Sequence, residues 1–134
     1  MDRAKRVSAC QLSKEELQSL STDELLQAAL DYPFFIEILA FNTNREGFLH
    51  VLNESTVLQE LLNREDGGEV LISRYAATPV PTVNENNYLS DLWKLEIMLA
   101  QPEFTDSMNE QQIAKILEIA EERNEEKSPL LNMR

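Results

Sequence analysis

The chain has 134 residues, and its 24 acidic against 12 basic side chains give a formal net charge of -12. That balance repels phosphate backbones and anionic bilayer surfaces, so nucleic acid is not the expected partner. The longest apolar run also falls far short of the roughly 20 residues of a transmembrane segment. Three glycines and a composition rich in Leu, Glu and Ala predict helices in place of a sandwich or barrel, and the single Cys10 excludes an intrachain disulfide framework.

The first ten residues begin with basic side chains but lack the apolar region of an export signal, so no complete targeting segment is visible. Val7-Ser8-Ala9-Cys10 has the small residues of a lipoprotein processing site. Without the apolar region, Cys10 reads as the small residue that closes a short N-terminal helix. Ser13-Lys14-Glu15-Glu16 and Ser21-Thr22-Asp23-Glu24 both match a capping box, in which serine and the third-following glutamate satisfy each other's free amides. Two helices start there, the second with Leu25, Leu26, Ala29 and Leu30 on one face.

Pro33 then suits the first position of a new helix. From Phe34 to Phe41 only Glu37 interrupts a continuous apolar run. A helix of that composition would be apolar nearly all round and would have to be enclosed by its neighbours. Thr43 and Glu46 offer another capping box, ahead of a helix burying Phe48, Val51 and Leu52, with Gly47 tolerated at some loss of helix propensity. Leu58, Leu61 and Leu62 form the next stripe, and Asp66 and Glu69 frame a start for the helix carrying Val70, Leu71 and Tyr75.

Pro79 and Pro81 favour an extended segment, read as a strap over 77–87. Leu89 to Ala100 make a strongly apolar helix ended by Pro102, and Asn109 caps a last helix with Ile113, Ile116, Leu117 and Ala120 facing inward. The expected fold is all-α: a compact, irregular bundle of about seven helices around a buried central helix 34–41. It forms one domain over 1–134, with a main helical unit 7–76, the strap 77–87, two packing helices over 88–127 and a tail 128–134.

Candidate chemistry is sparse. Glu46, His50 and Glu54 are spaced by four, so a continuous helix would present one nitrogen and two carboxylates on one face, a donor set for a metal. Against this, Asn53-Glu54-Ser55 reads as a helix end that takes Glu54 out of register. Glu118, Glu121, Glu122, Glu125 and Glu126 read as a solvated helix face. Asp66-Gly67-Gly68 lacks the following Lys of a phosphate loop, and Asn53-Glu54-Ser55 also matches a three-residue glycosylation pattern that arises often by chance. The residues assign no catalytic group and no cofactor.

Val7-Ser8-Ala9-Cys10-Gln11, Ser21 to Leu26, Asp31-Tyr32-Pro33-Phe34, Ala40-Phe41, Glu46-Gly47-Phe48 and Leu58 to Asp66 occur here in that order. Over most of Val7 to Tyr75 the chain thereby resembles an uncharacterised family of helical domains from secreted or surface-associated proteins of gut bacteria. A looser likeness continues from Leu95 to Gln101. The resemblance implies an all-helical fold and an extracellular or cell-surface setting, and it brings no catalytic residues. The expected role is a non-catalytic protein-binding or accessory module with a protein partner. The alternatives are a metal-assisted hydrolase built on Glu46, His50 and Glu54, or an acidic inhibitor or immunity-type protein that masks a basic partner.

Overall fold

A computed structural model describes residues 2–81 and 90–131, with side chains to residue 126. Among these residues every regular element is helical and there is no strand: nine α-helices and one 3-10 helix, ten elements where about seven were expected. The chain packs as two compact units, Met1–Gly67 and Gly68–Arg134.

The first unit contains α1 (Arg3–Ala9), α2 (Lys14–Ser19), α3 (Thr22–Leu30), the 3-10 helix (Phe35–Ala40), α4 (Asn44–Glu54) and α5 (Thr56–Asn63). Both serine capping boxes form as the sequence predicts: Ser13 accepts from the Glu16 amide and Ser21 from the Glu24 amide, and each glutamate returns the bond. Cys10 is the C-cap of α1. Thr43 caps α4 and Ser55 caps α5. Arg64 closes the other end of α2, donating from Nη2 to the Leu17 and Leu20 carbonyls at 2.9 and 3.0 Å. Asp66 Oδ1 accepts from Thr22 Oγ1 at 2.6 Å.

The core of this unit joins α3 to α5 and the 3-10 helix to α4. Leu25, Leu26, Ala29, Leu30, Phe35, Phe48, Val51, Leu58 and Leu61 are buried. Each large apolar side chain so enclosed contributes roughly 1.5–3 kcal/mol.

The run 34–41 does not become the enclosed helix that its composition predicts. The amides of Phe35, Glu37 and Phe41 donate three residues back, to Tyr32, Phe34 and Ile38. Three residues per turn divide this segment into faces that an α-helix would have mixed. Phe35 and Ile38 point inward at 0% and 1% exposure, whereas Ile36 and Leu39 stack outward at 45% and 48%. Glu37, between these faces, is half-buried.

Gly47 explains how closely α4 lies against that segment. A Cβ at this position would sit 2.6 Å from both the Ile38 Cα and its carbonyl oxygen. Glycine is required by the close approach of two backbones, and its weak helix propensity is the smaller effect.

The second unit takes in most of α6 (Gly67–Ala77), then α7 (Asp91–Leu99), α8 (Pro102–Thr105) and α9 (Glu110–Leu131). Pro102 ends α7 as expected and occupies the first turn of α8. Asn109 Oδ1 accepts from the Gln112 amide at 2.8 Å, while Gln112 returns the bond to the Asn109 amide at 3.0 Å. Leu71, Tyr75, Leu92, Leu95, Met98, Phe104 and Ile119 are buried.

The inward face of α9 differs from the expected one. Ile119 and Arg123 are buried, while Leu117 is 64% exposed. Arg123 donates to the carbonyls of Tyr75, Ala76 and Thr78 at 2.8–3.2 Å, satisfying the end of α6 from another helix. Residues 82–89, which include most of the expected strap together with Tyr88 and Leu89, lie outside the described residues, as do 132–134 of the tail.

Candidate functional site

Three elements of the first unit bring four charged or titratable side chains together. Arg3 comes from the start of α1, Glu37 from the 3-10 helix, and His50 and Glu54 from α4. Arg3 Nε donates to Glu37 Oε2 at 2.9 Å, and its Nη2 also pairs with Glu37 Oε1. The same guanidinium donates to both Glu54 oxygens, at 2.7 Å from Nη2 and 3.1 Å from Nη1. His50 Nε2 lies 2.9 Å from Glu37 Oε1, 3.3 Å from Glu54 Oε1 and 3.3 Å from Arg3 Nη2.

Arg3 therefore bridges two carboxylates in the planar, multiply bonded manner that suits a guanidinium. Its hydrogen bonds, helped by the His50 contact, hold the Glu37 carboxyl down at about 2 against the opposing effect of partial burial. Glu54 is also held below the usual carboxylate range, chiefly by Arg3, and both acids make the guanidinium still harder to deprotonate.

Two aromatic rings complete the surroundings. The Phe41 ring centroid is 4.9 Å from that of His50, and the Arg3 guanidinium carbon is 5.5 Å from the Phe34 centroid. The Phe34 contact falls within cation–π range.

Of the predicted set, His50 and Glu54 meet and Glu46 does not join them. Asn53-Glu54-Ser55 is the helix end that the sequence suggests, with Glu54 the last residue of α4, yet Glu54 stays in register with His50. Glu46 lies in the exposed first turn, where its amide donates to the Thr43 cap. Its place is taken by Glu37, thirteen residues from His50 in sequence. Ligand atoms of Glu37, His50 and Glu54 all lie within 4.8 Å of one another.

Glu37 had one visible signal, as the lone charge in an apolar run. Arg3 had none, because nothing local connects α1 with α4. The terminal glutamates remain on the exposed side of α9, with Glu126 Oε1 accepting from Arg123 Nη1 at 2.9 Å. In the second unit a groove of about 360 Å³, lined by Glu69, Ile72, Ser73, Asn109, Gln111, Gln112 and Lys115, holds no comparable convergence.

The exposed large apolar residues are not scattered evenly. Ile36, Leu39 and Phe41 belong to the 3-10 helix and its C-cap, Leu49 belongs to α4 packed against it, and only Leu117 lies elsewhere among the described residues. No helix among the described residues is long and apolar enough to cross a membrane. Fold and site together define an all-helical chain with an apolar ridge beside an arginine-clamped cluster. No family model, curated protein or solved structure matches it.

Proposed function

We propose that the chain is a non-catalytic protein-binding module, and that the outward ridge of the 3-10 helix is its contact surface. The observation that carries this is the pairing of Ile36 and Leu39, exposed at 45% and 48% in a segment that buries Phe35 and Ile38 almost completely. Large apolar residues gathered on one element of an acidic exterior are what a protein interface needs at its centre. The ridge therefore suits an apolar partner segment, and the net charge of -12 favours basic residues at that segment's rim.

A second copy of the chain is a poorer fit, because two surfaces of the same sign repel on approach. The secreted or surface-associated setting suggested by the resemblance belongs to the same proposal. So does the inhibitor-type alternative, in which the basic partner is masked by the binding. The hydrolase alternative is less well supported, since Glu46, one of its three residues, stands apart in the first turn of α4.

The test is site-specific photo-crosslinking in an extract and culture medium of the protein's own host, with the reactive side chain at Leu39 or at the exposed Glu15 of α2. A discrete adduct from position 39 that is absent from position 15 is expected. The same adducts from both positions, or none from either, would overturn the assignment.

A further inference from the structure

We infer that Glu37, His50 and Glu54 form a site for a divalent transition metal, with the Arg3 guanidinium as its resident competitor. The three side chains offer one imidazole nitrogen and two carboxylate oxygens, the mixed donor set that zinc and its neighbours accept. Calcium and magnesium prefer oxygen alone.

The spacing fits. In a tetrahedral site with bonds of 2.0–2.1 Å, donor atoms stand about 3.3 Å apart. His50 Nε2 lies 2.9 Å from Glu37 Oε1 and 3.3 Å from Glu54 Oε1. At the point where these donors converge the structure places a cationic group, with Arg3 Nη2 within hydrogen-bonding range of both carboxylates and 3.3 Å from the imidazole nitrogen. The imidazole nitrogen that hydrogen-bonds Glu37 here is also the donor that a metal would take as a ligand.

The segments that carry the donors are held independently of Arg3. Phe35 and Ile38 anchor the 3-10 helix in the core, Gly47 lets α4 lie directly against it, and Phe41 rests on the imidazole. Arg3 is itself 41% exposed and comes from a different helix, so its side chain can swing into solvent while the 3-10 helix and α4 stay in place. Three protein donors leave the remaining coordination positions to water or a ligand, as in open metal sites.

Competition by Arg3 sets the size of the effect. If the arginine-out state is populated at 0.1–10%, removal of the guanidinium tightens metal binding by about 10- to 1000-fold.

The experiment is calorimetric titration of the full chain with Zn2+ alone, for the wild type, Arg3→Met, and Arg3→Met combined with His50→Ala, with stoichiometry checked by native mass spectrometry. Stoichiometric uptake is expected, tighter in Arg3→Met by that factor and lost in the double variant. Equal affinity in wild type and Arg3→Met, or uptake that survives His50→Ala, would overturn the inference. Should Arg3→Met fail to fold, the wild type still decides: His50 is the sole histidine. Its imidazole proton resonances shift on Zn2+ addition if the site exists and stay in place if it does not.

Discussion

Arg3 and Glu37 show how much organisation a single charged pair can carry. Glu37 lies in an apolar run, and its charge is tolerated there because a guanidinium from thirty-four residues away meets both oxygens. The pair has a pH signature. A carboxyl held at about 2 in the folded chain, against a usual 4.5, contributes stability that is fully present above 4.5 and is lost as pH falls toward 2. Wild type should therefore resist urea better than Arg3→Met at neutral pH, with the gap between their midpoints closing over that acid range. A gap of constant size would show that Glu37 owes nothing to the clamp. Arg123 is the corresponding residue in the second unit, where its nearly enclosed guanidinium serves three carbonyls at the end of α6. Replacing it with Met leaves those acceptors without their donor and should lower stability by about 2 kcal/mol, measured by urea unfolding. A change near zero would mean that water substitutes fully.

At the scale of elements, helix starts were legible and helix faces less so. Capping boxes are local chemistry, written within four residues, and Ser13 and Ser21 form theirs as read. The face a helix buries depends on what packs against it, which a sequence does not state. Leu117 follows the apolar periodicity of α9 yet lies exposed, while Arg123 is buried because α6 ends beside it. For the same reason Gly47 looked merely tolerated. Its purpose is visible only against the Ile38 backbone. Gly47→Ala should destabilise the chain by about 1–3 kcal/mol despite alanine's better helix propensity, because a packed backbone has to move. Urea unfolding would register the loss, and a variant as stable as wild type would mean that α4 can shift outward freely. The 3-10 helix gives the same lesson from the other side. Its composition suggested complete burial, and its period of three allows half of it to remain outside.

For the chain as a whole, the all-helical class was evident from composition and capping, and the cluster only in part. His50 and Glu54 share one helix, so spacing by four could find them, whereas Glu37 and Arg3 reach the site only through packing. The acidic charge and the apolar ridge act on a partner in different ways: the charge steers approach and weakens with salt, and the ridge sets how long the complex lasts. The decisive measurement is the dissociation constant of the partner crosslinked at Leu39, compared between wild type and the double substitution Ile36→Ser, Leu39→Ser, with Leu117→Ser as the reference. If the ridge is the binding surface, the double variant binds weaker by about tenfold or more while Leu117→Ser binds as wild type does. Equal affinity in all three folded proteins would place the interface elsewhere and remove the ridge from any role in binding.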